Sequence, residues 1–141
     1  MADSAGTLYR DVILEHSRNP RNATPVDPAD FLGRAHNPLC GDELELTLAL
    51  EHGVIGKIGI QVRGCAISQA AASLMSEAIV GMTLEEARVS ASLFKFFLEG
   101  HSTTLPKPLA TLTALEAIRS NASRLNCAML PWQALQSGAP K

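Results

Sequence analysis

Three cysteines and one aspartate are the residues of this chain best suited to chemistry. Cys40 and Asp42 lie in Asn37-Pro-Leu-Cys-Gly-Asp42, Cys65 in Arg63-Gly-Cys-Ala66, and Cys127 in Arg124-Leu-Asn-Cys-Ala128. An odd number of cysteines cannot close into a complete disulfide framework, and a reducing compartment keeps all three as thiols. Three thiolates and a carboxylate form a tetrahedral donor set that suits Zn²⁺. The spacing matches no standard zinc finger, because there is no C-x₂-C pair. Three separate small core residues are the competing reading, since free cysteine is among the most buried residue types.

The elements around these residues decide whether they can meet. Leu44, Leu46, Leu48 and Leu50 alternate with Glu43, Glu45, Thr47 and Ala49, and a second alternation follows in Val54, Ile58, Ile60 and Val62. Two period-two runs across Glu51-His52-Gly53 predict an antiparallel hairpin with one buried face. A hairpin returns the chain to its starting point. Cys40 and Asp42, just before the first strand, and Cys65, just after the second, are therefore expected at one sheet edge. Cys65 also opens an Ala- and Ser-rich helix over Ala66 to Val80, where the positive end of the helix dipole favours thiolate.

The remaining pattern is mostly helical. A first helix is expected over Thr7 to Ser17, stopped by Asn19-Pro20, then a loop to Asp30 and a short strand over Phe31 to Ala35. Thr83 with Glu86 forms a capping box for a helix that turns Leu84, Ala87, Leu93, Phe94, Phe97 and Leu98 inward and stops at Gly100. Helices over Leu109 to Arg119 and Ala122 to Gln136 follow, the last interrupted by Pro131. Residues 137–141 are expected to be a disordered tail. The fold class is α+β, a small antiparallel three-stranded sheet packed against about five helices in one domain spanning 1–141.

Composition narrows the function classes. The chain has 141 residues, 46% hydrophobic and 18% charged, with twelve basic against fourteen acidic side chains and a net charge of −2. No Lys/Arg block marks a nucleic-acid surface, and the longest apolar run, Ser92 to Leu98, is short and contains Lys95, so no membrane span is expected. Met1 to Thr7 lack the features of a signal peptide, making a cytoplasmic location the default. Among the histidines, His36 is four residues from Cys40, His16 sits where a cation favours a helix C-terminus, and His52 and His101 fall in a turn and a loop. A Cys–His hydrolase is disfavoured, because nothing supplies an oriented third member or an oxyanion hole.

Four segments together carry a family resemblance: Leu8 to Asn22 (LYRDVILEHSRNPRN), Asn37 to Asp42, Gly64-Cys-Ala-Ile-Ser68, and Arg124 with Cys127 to Leu135 (CAMLPWQAL). In this order and spacing they resemble the SufU-type branch of the iron–sulfur cluster assembly proteins, related to IscU and the N-terminal part of NifU. Asn126 stands where IscU-type members carry a histidine, residues 81–110 look like the insertion of the SufU branch, and Trp132 fits that branch too. No counterpart of the Leu-Pro-Pro-Val-Lys chaperone motif lies near Cys127.

The resemblance implies a SufE/NifU-like sandwich and one Zn²⁺ per chain on Cys40, Asp42, Cys65 and Cys127. It also implies sulfur uptake from a SufS-type cysteine desulfurase, with downstream cluster-assembly proteins as further partners. Cys40, flanked by Pro38 and Gly41, is the expected catalytic acceptor, attacking the outer sulfur of a persulfide. Arg124, on the face of Cys127, is expected to offset the site's negative charge or contact the desulfurase. An iron–sulfur scaffold using iron on the same residues is the first alternative, and a purely structural zinc site the second.

Overall fold

The computed structural model describes residues 4–39, 41–119 and 121–141, with side chains from residue 10 onward. Helix α1 (Ser4–Arg18) is followed by strand β1 (Phe31–Asn37) and the hairpin β2 (Asp42–Glu51) and β3 (Val54–Arg63). Helices α2 (Ala66–Ile79) and α3 (Leu84–Leu98), a 3₁₀ segment (Lys107–Ile118), helix α4 (Ala122–Ser137) and a two-residue strand β4 (Ala139–Pro140) complete the chain. The sheet is antiparallel throughout, in the order β3-β2-β1-β4. It has four strands rather than three, because residues expected as a disordered tail pair instead: Ala139 with Leu32 and Pro140 with Phe31.

The hairpin forms as its alternation predicts, with two refinements. Its turn is the two residues His52 and Gly53, both at positive φ (53° and 81°), the geometry whose twist matches that of the flanking strands. Further along, Ala49 pairs with Lys57 but Leu50 with Ile55, so Gly56 is an extra residue in β3. The bulge reverses the side-chain phase there, and Ile55 is fully buried while Val54 is only half-buried. Beyond it Ile58 and Ile60 point inward with Leu44, Leu46, Leu48 and Phe31.

Helices α2 and α4 cover that inner face, and α1 and the 3₁₀ segment pack against α2. Small side chains make α2 suitable as the central helix: ten of its fourteen residues are buried, chiefly Ala and Ser. The capping box of Thr83 and Glu86 opens α3 as expected, and Ala87, Phe94, Phe97 and Leu98 are buried. Leu93, expected inward, is 39% exposed; Ser90 and Ala91 take the inner positions. Trp132 on α4 is fully buried against Phe94 of α3, with ring centroids 5.7 Å apart. Arg88 of α3 donates to the carbonyls of Leu135 and Gly138, fixing the end of α4 from which β4 departs.

Two helical expectations differ. Lys107–Ile118 is a 3₁₀ helix rather than an α-helix. Leu109, Leu112, Leu115 and Ile118 recur every third residue and all are buried, so a helix with three residues per turn stacks them on one face. Helix α4 also continues through Pro131, which is buried within it, where an interruption was expected.

Candidate metal centre

The centre is assembled where the hairpin ends. Glu43 pairs with Arg63 across β2 and β3, so Asp42 at the start of β2 lies beside Gly64, and Cys65 follows directly. Cys65 is the N-cap of α2, in extended backbone geometry (φ −72°, ψ 169°), and its sulfur accepts the N–H of Ser68 at 3.4 Å. Cys127 sits in the second turn of α4, 7% exposed, and reaches the others because α4 packs on both α2 and the sheet. The carboxylate of Asp42 and the sulfurs of Cys65 and Cys127 present ligand atoms within 4.8 Å of one another. Three widely separated residues thus converge as expected. Cys40 lies outside the described residues.

Donor chemistry and spacing fit a zinc ion. With Zn–S near 2.3 Å and Zn–O near 2.0 Å, ligand atoms of a tetrahedral site stand about 3.5–3.8 Å apart. Closing from within 4.8 Å takes side-chain adjustments of about 1 Å or less. Each ligand atom carries a lone pair, and a cation placed among them satisfies all three at once.

Local sequence shapes the surroundings. Buried Asn37, last residue of β1, accepts the N–H of Leu39 on its side-chain oxygen (3.1 Å) and that of Gly41 on its carbonyl (2.8 Å). Gly41 has φ +76°, a turn that a residue with a Cβ adopts with strain. Leu39 is 87% exposed at the rim. Arg124, three residues before Cys127, is exposed in the first turn of α4, its N–H capped by the side chain of Asn121 at 3.2 Å.

The structure adds two residues that sequence reasoning missed. Ser68, fully buried, donates its hydroxyl to Asp42 Oδ2 at 2.5 Å. Gly64 lies so close to Asp42 that a Cβ there would come within 2.5 Å of its Cγ. The signal was present: a glycine directly before a helix-capping cysteine, and a serine three residues after it, at the position whose N–H a cap bonds.

The histidines do not join the centre. His36, on β1 opposite Glu43, and His52 and His101 are exposed, and none belongs to the metal-ligand group among the described residues. His16, expected at the surface, is instead 8% exposed and bonded through Nδ1 to Ser73 of α2 at 2.7 Å. Ser73 Oγ also accepts the backbone N–H of Arg21 at 2.9 Å, so one serine hydroxyl ties both the His16 ring and the Arg21 backbone to α2. Burial, with the nearby Arg21 cation, holds the His16 pKa below its ordinary value of 6.5, against opposing pulls from Glu77 and Glu15. Asn22 continues the network by donating to Ser76 at 2.9 Å.

The sequence and the architecture have counterparts in known proteins. Residues 8–141 match the family model described as the NifU-like N terminal domain. The chain is 34% identical over 135 residues to the zinc-dependent sulfurtransferase SufU of Bacillus subtilis (strain 168), covering 96% of this chain and 91% of that one. It is 31% identical over 129 residues to the iron–sulfur cluster assembly scaffold protein IscU of Streptococcus pyogenes serotype M1, covering 92% and 80%. The crystal structure of FiSufU from Fervidobacterium islandicum AW-1 superposes with a TM-score of 0.83 at 25% identity, over 92% of this chain and 95% of that one. With its match extending from the first helix to the last residue, this chain belongs to the NifU-like N-terminal domain family.

Proposed function

We propose that this protein accepts sulfur and relays it in iron–sulfur cluster assembly, with one Zn²⁺ held by Asp42, Cys65, Cys127 and Cys40. The convergence of a carboxylate and two thiols within 4.8 Å carries the reading. Cys40 is two residues from Asp42, so its Cα is within about 7 Å of that of Asp42 by chain geometry alone, which supports its place as the fourth donor. A bound zinc ion supplies thiolates at neutral pH, where a free thiol with a pKa near 8.5 is mostly protonated.

The chain's own residues divide the work. Asp42, Cys65 and Cys127 project from a strand start, a helix cap and a helix interior, and these anchored elements suit a holding role. Cys40 belongs to the loop between β1 and β2 and is the acceptor. Its thiolate attacks the outer sulfur of a persulfide carried by a cysteine desulfurase. A new S–S bond forms to Cys40 as the donor's S–S bond breaks, and the electron pair leaves on the donor cysteine as thiolate. The reaction is an exchange with no net oxidation. Exposed Leu39 and Arg124 border the centre and suit contact with that partner, Arg124 also offsetting the negative charge of the ligands. In this reading residues 1–141 act as one domain, with 81–110 the insertion of the SufU branch. The protein works in the reducing cytoplasm, where the thiols stay available for handing sulfur to downstream assembly proteins. No described helix is long and apolar enough to cross a membrane.

Incubation with a SufS-type desulfurase, cysteine and labelled sulfur tests the assignment. Label should appear on the wild-type chain and be lost from Cys40→Ala; undiminished labelling of that variant would defeat Cys40 as acceptor. The relatedness to an IscU scaffold favours a second reading, assembly of a cluster on the same residues. Anaerobic purification separates the two: a colourless protein with one zinc per chain supports the relay, a brown one the scaffold.

A further inference from the structure

Ser68 is fully buried in the first turn of α2, yet its hydroxyl reaches across to β2. A serine hydroxyl has one proton to give. The serine Oγ lies 2.5 Å from Asp42 Oδ2 and donates its proton to that carboxylate, so the proton is not available to Cys65 Sγ, 3.5 Å from Ser68 Oγ. The sulfur is served instead by the backbone N–H of Ser68 at 3.4 Å. One residue therefore touches two of the three described ligands with two different atoms.

Gly64 bounds the carboxylate from another direction. A Cβ at this position would come within 2.5 Å of Asp42 Cγ and 2.7 Å of Oδ1, with Asp42 Cβ at 2.9 Å, all inside van der Waals contact. The glycine is needed for close approach, since it has no unusual φ. The Asp42 side chain, 4% exposed, thus takes a hydroxyl donor on Oδ2 and lies close against Gly64. A capped helix start needs only the Ser68 N–H, which any residue provides; the hydroxyl and the missing Cβ both act on Asp42.

We propose that Ser68 is a positioning residue for metal capture, holding the Asp42 carboxylate in the ligand position into which Gly64 admits it. This rests on the metal-centre reading above. Fixing a ligand's orientation before the ion arrives removes rotamers that would otherwise be lost on binding, and partners of this kind are worth about 10–100-fold in metal affinity.

Ser68→Ala keeps the N–H that caps Cys65 and removes only the hydroxyl. Metal-free wild type, Ser68→Ala, Gly64→Ala, Asp42→Ala and the Asp42→Ala/Ser68→Ala double variant are titrated with Zn²⁺ against a chromophoric chelator. The visible spectrum of each Co²⁺ form is recorded alongside. Ser68→Ala is expected to weaken zinc binding about 10–100-fold and to shift the cobalt bands, and Gly64→Ala to shift them in the same direction. Once Asp42 is absent, loss of the hydroxyl should cost nothing further, because coupled residues are non-additive. Wild-type affinity and spectrum in Ser68→Ala would overturn the proposal. So would a full-sized Ser68 effect without Asp42, or a lowered unfolding midpoint of the metal-free variant with an unmoved cobalt spectrum. A wild-type chain that takes up no zinc defeats the metal-centre reading itself, an outcome distinct from these.

Discussion

Helix α2 carries two serine-anchored polar clusters that differ in kind. Near its middle, Ser73 and Ser76 bind His16, the Arg21 backbone and Asn22 through complementary donors and acceptors. At its start, Ser68 binds Asp42 beside the sulfurs of Cys65 and Cys127, whose ligand atoms lie with that of Asp42 within 4.8 Å of one another. The first cluster joins α1 and the turn after it to the core and asks for no ligand. The second gathers electron-pair donors, an arrangement that a cation completes. Burial does not separate them, since His16 is 8% and Asp42 4% exposed. Side-chain chemistry does, with sulfurs and a carboxylate at one and an imidazole, an amide and hydroxyls at the other.

The sharpest way to break this contrast is to exchange a sulfur. Cys127→Ser should lower zinc affinity by at least ~100-fold, beyond the range for outer partners, while circular dichroism of the metal-free protein still shows its helices and sheet. In the other cluster the opposite is expected. Ser73→Ala strands the His16 ring nitrogen and the Arg21 N–H, which should cost about 1–3 kcal/mol in urea unfolding and leave zinc affinity unchanged.

The His16 cluster also predicts a pH dependence. A folded-state pKa held below the ordinary 6.5 means the unfolded chain binds this proton more readily. The stabilisation is therefore complete above about pH 6.5 and is lost as pH falls through the lowered folded value. Unfolding midpoints measured from pH 8 down to pH 5 should drop, and His16→Gln should flatten that drop. Thr83→Ala, outside both clusters, removes the α3 cap at about 1 kcal/mol and should alter neither zinc binding nor the pH profile, as differential unfolding and the same titrations would report.

How much of this was legible beforehand depends on whether the determining contact was local. Leu44, Leu46 and Leu48 announced the hairpin, and its topology alone brought Asp42 towards Cys65. Gly56 hid the burial of Ile55, because one inserted residue flips the phase on which pattern reading depends. Leu109, Leu112, Leu115 and Ile118 showed a spacing of three that is close enough to helical periodicity to be read as an α-helix. The C-terminal residues carry no strand pattern; they pair because α4, held by Arg88, delivers them to β1. At the centre, Cys127 was a candidate by residue type, but hairpin topology could not place it, since its approach depends on how α4 packs. Ser68 looked like one more small residue in a helix of Ala and Ser, and the partner of His16 lies 57 positions away.

One further consequence follows from how the sheet is finished at its flanks. An exposed strand offers its N–H and C=O groups as a template on which other chains can polymerise. On the outer side of β3, Ile55 is engaged in both directions by Gly81 and Met82, and the Ile60 N–H by Asn22. Across the sheet, β4 screens the start of β1, and Lys141 donates to the Asp30 carbonyl beside it. With these backbone groups engaged, both borders of the sheet are poorer templates for strand addition by another copy, and the end that carries Asp42 and Cys65 lies apart from them.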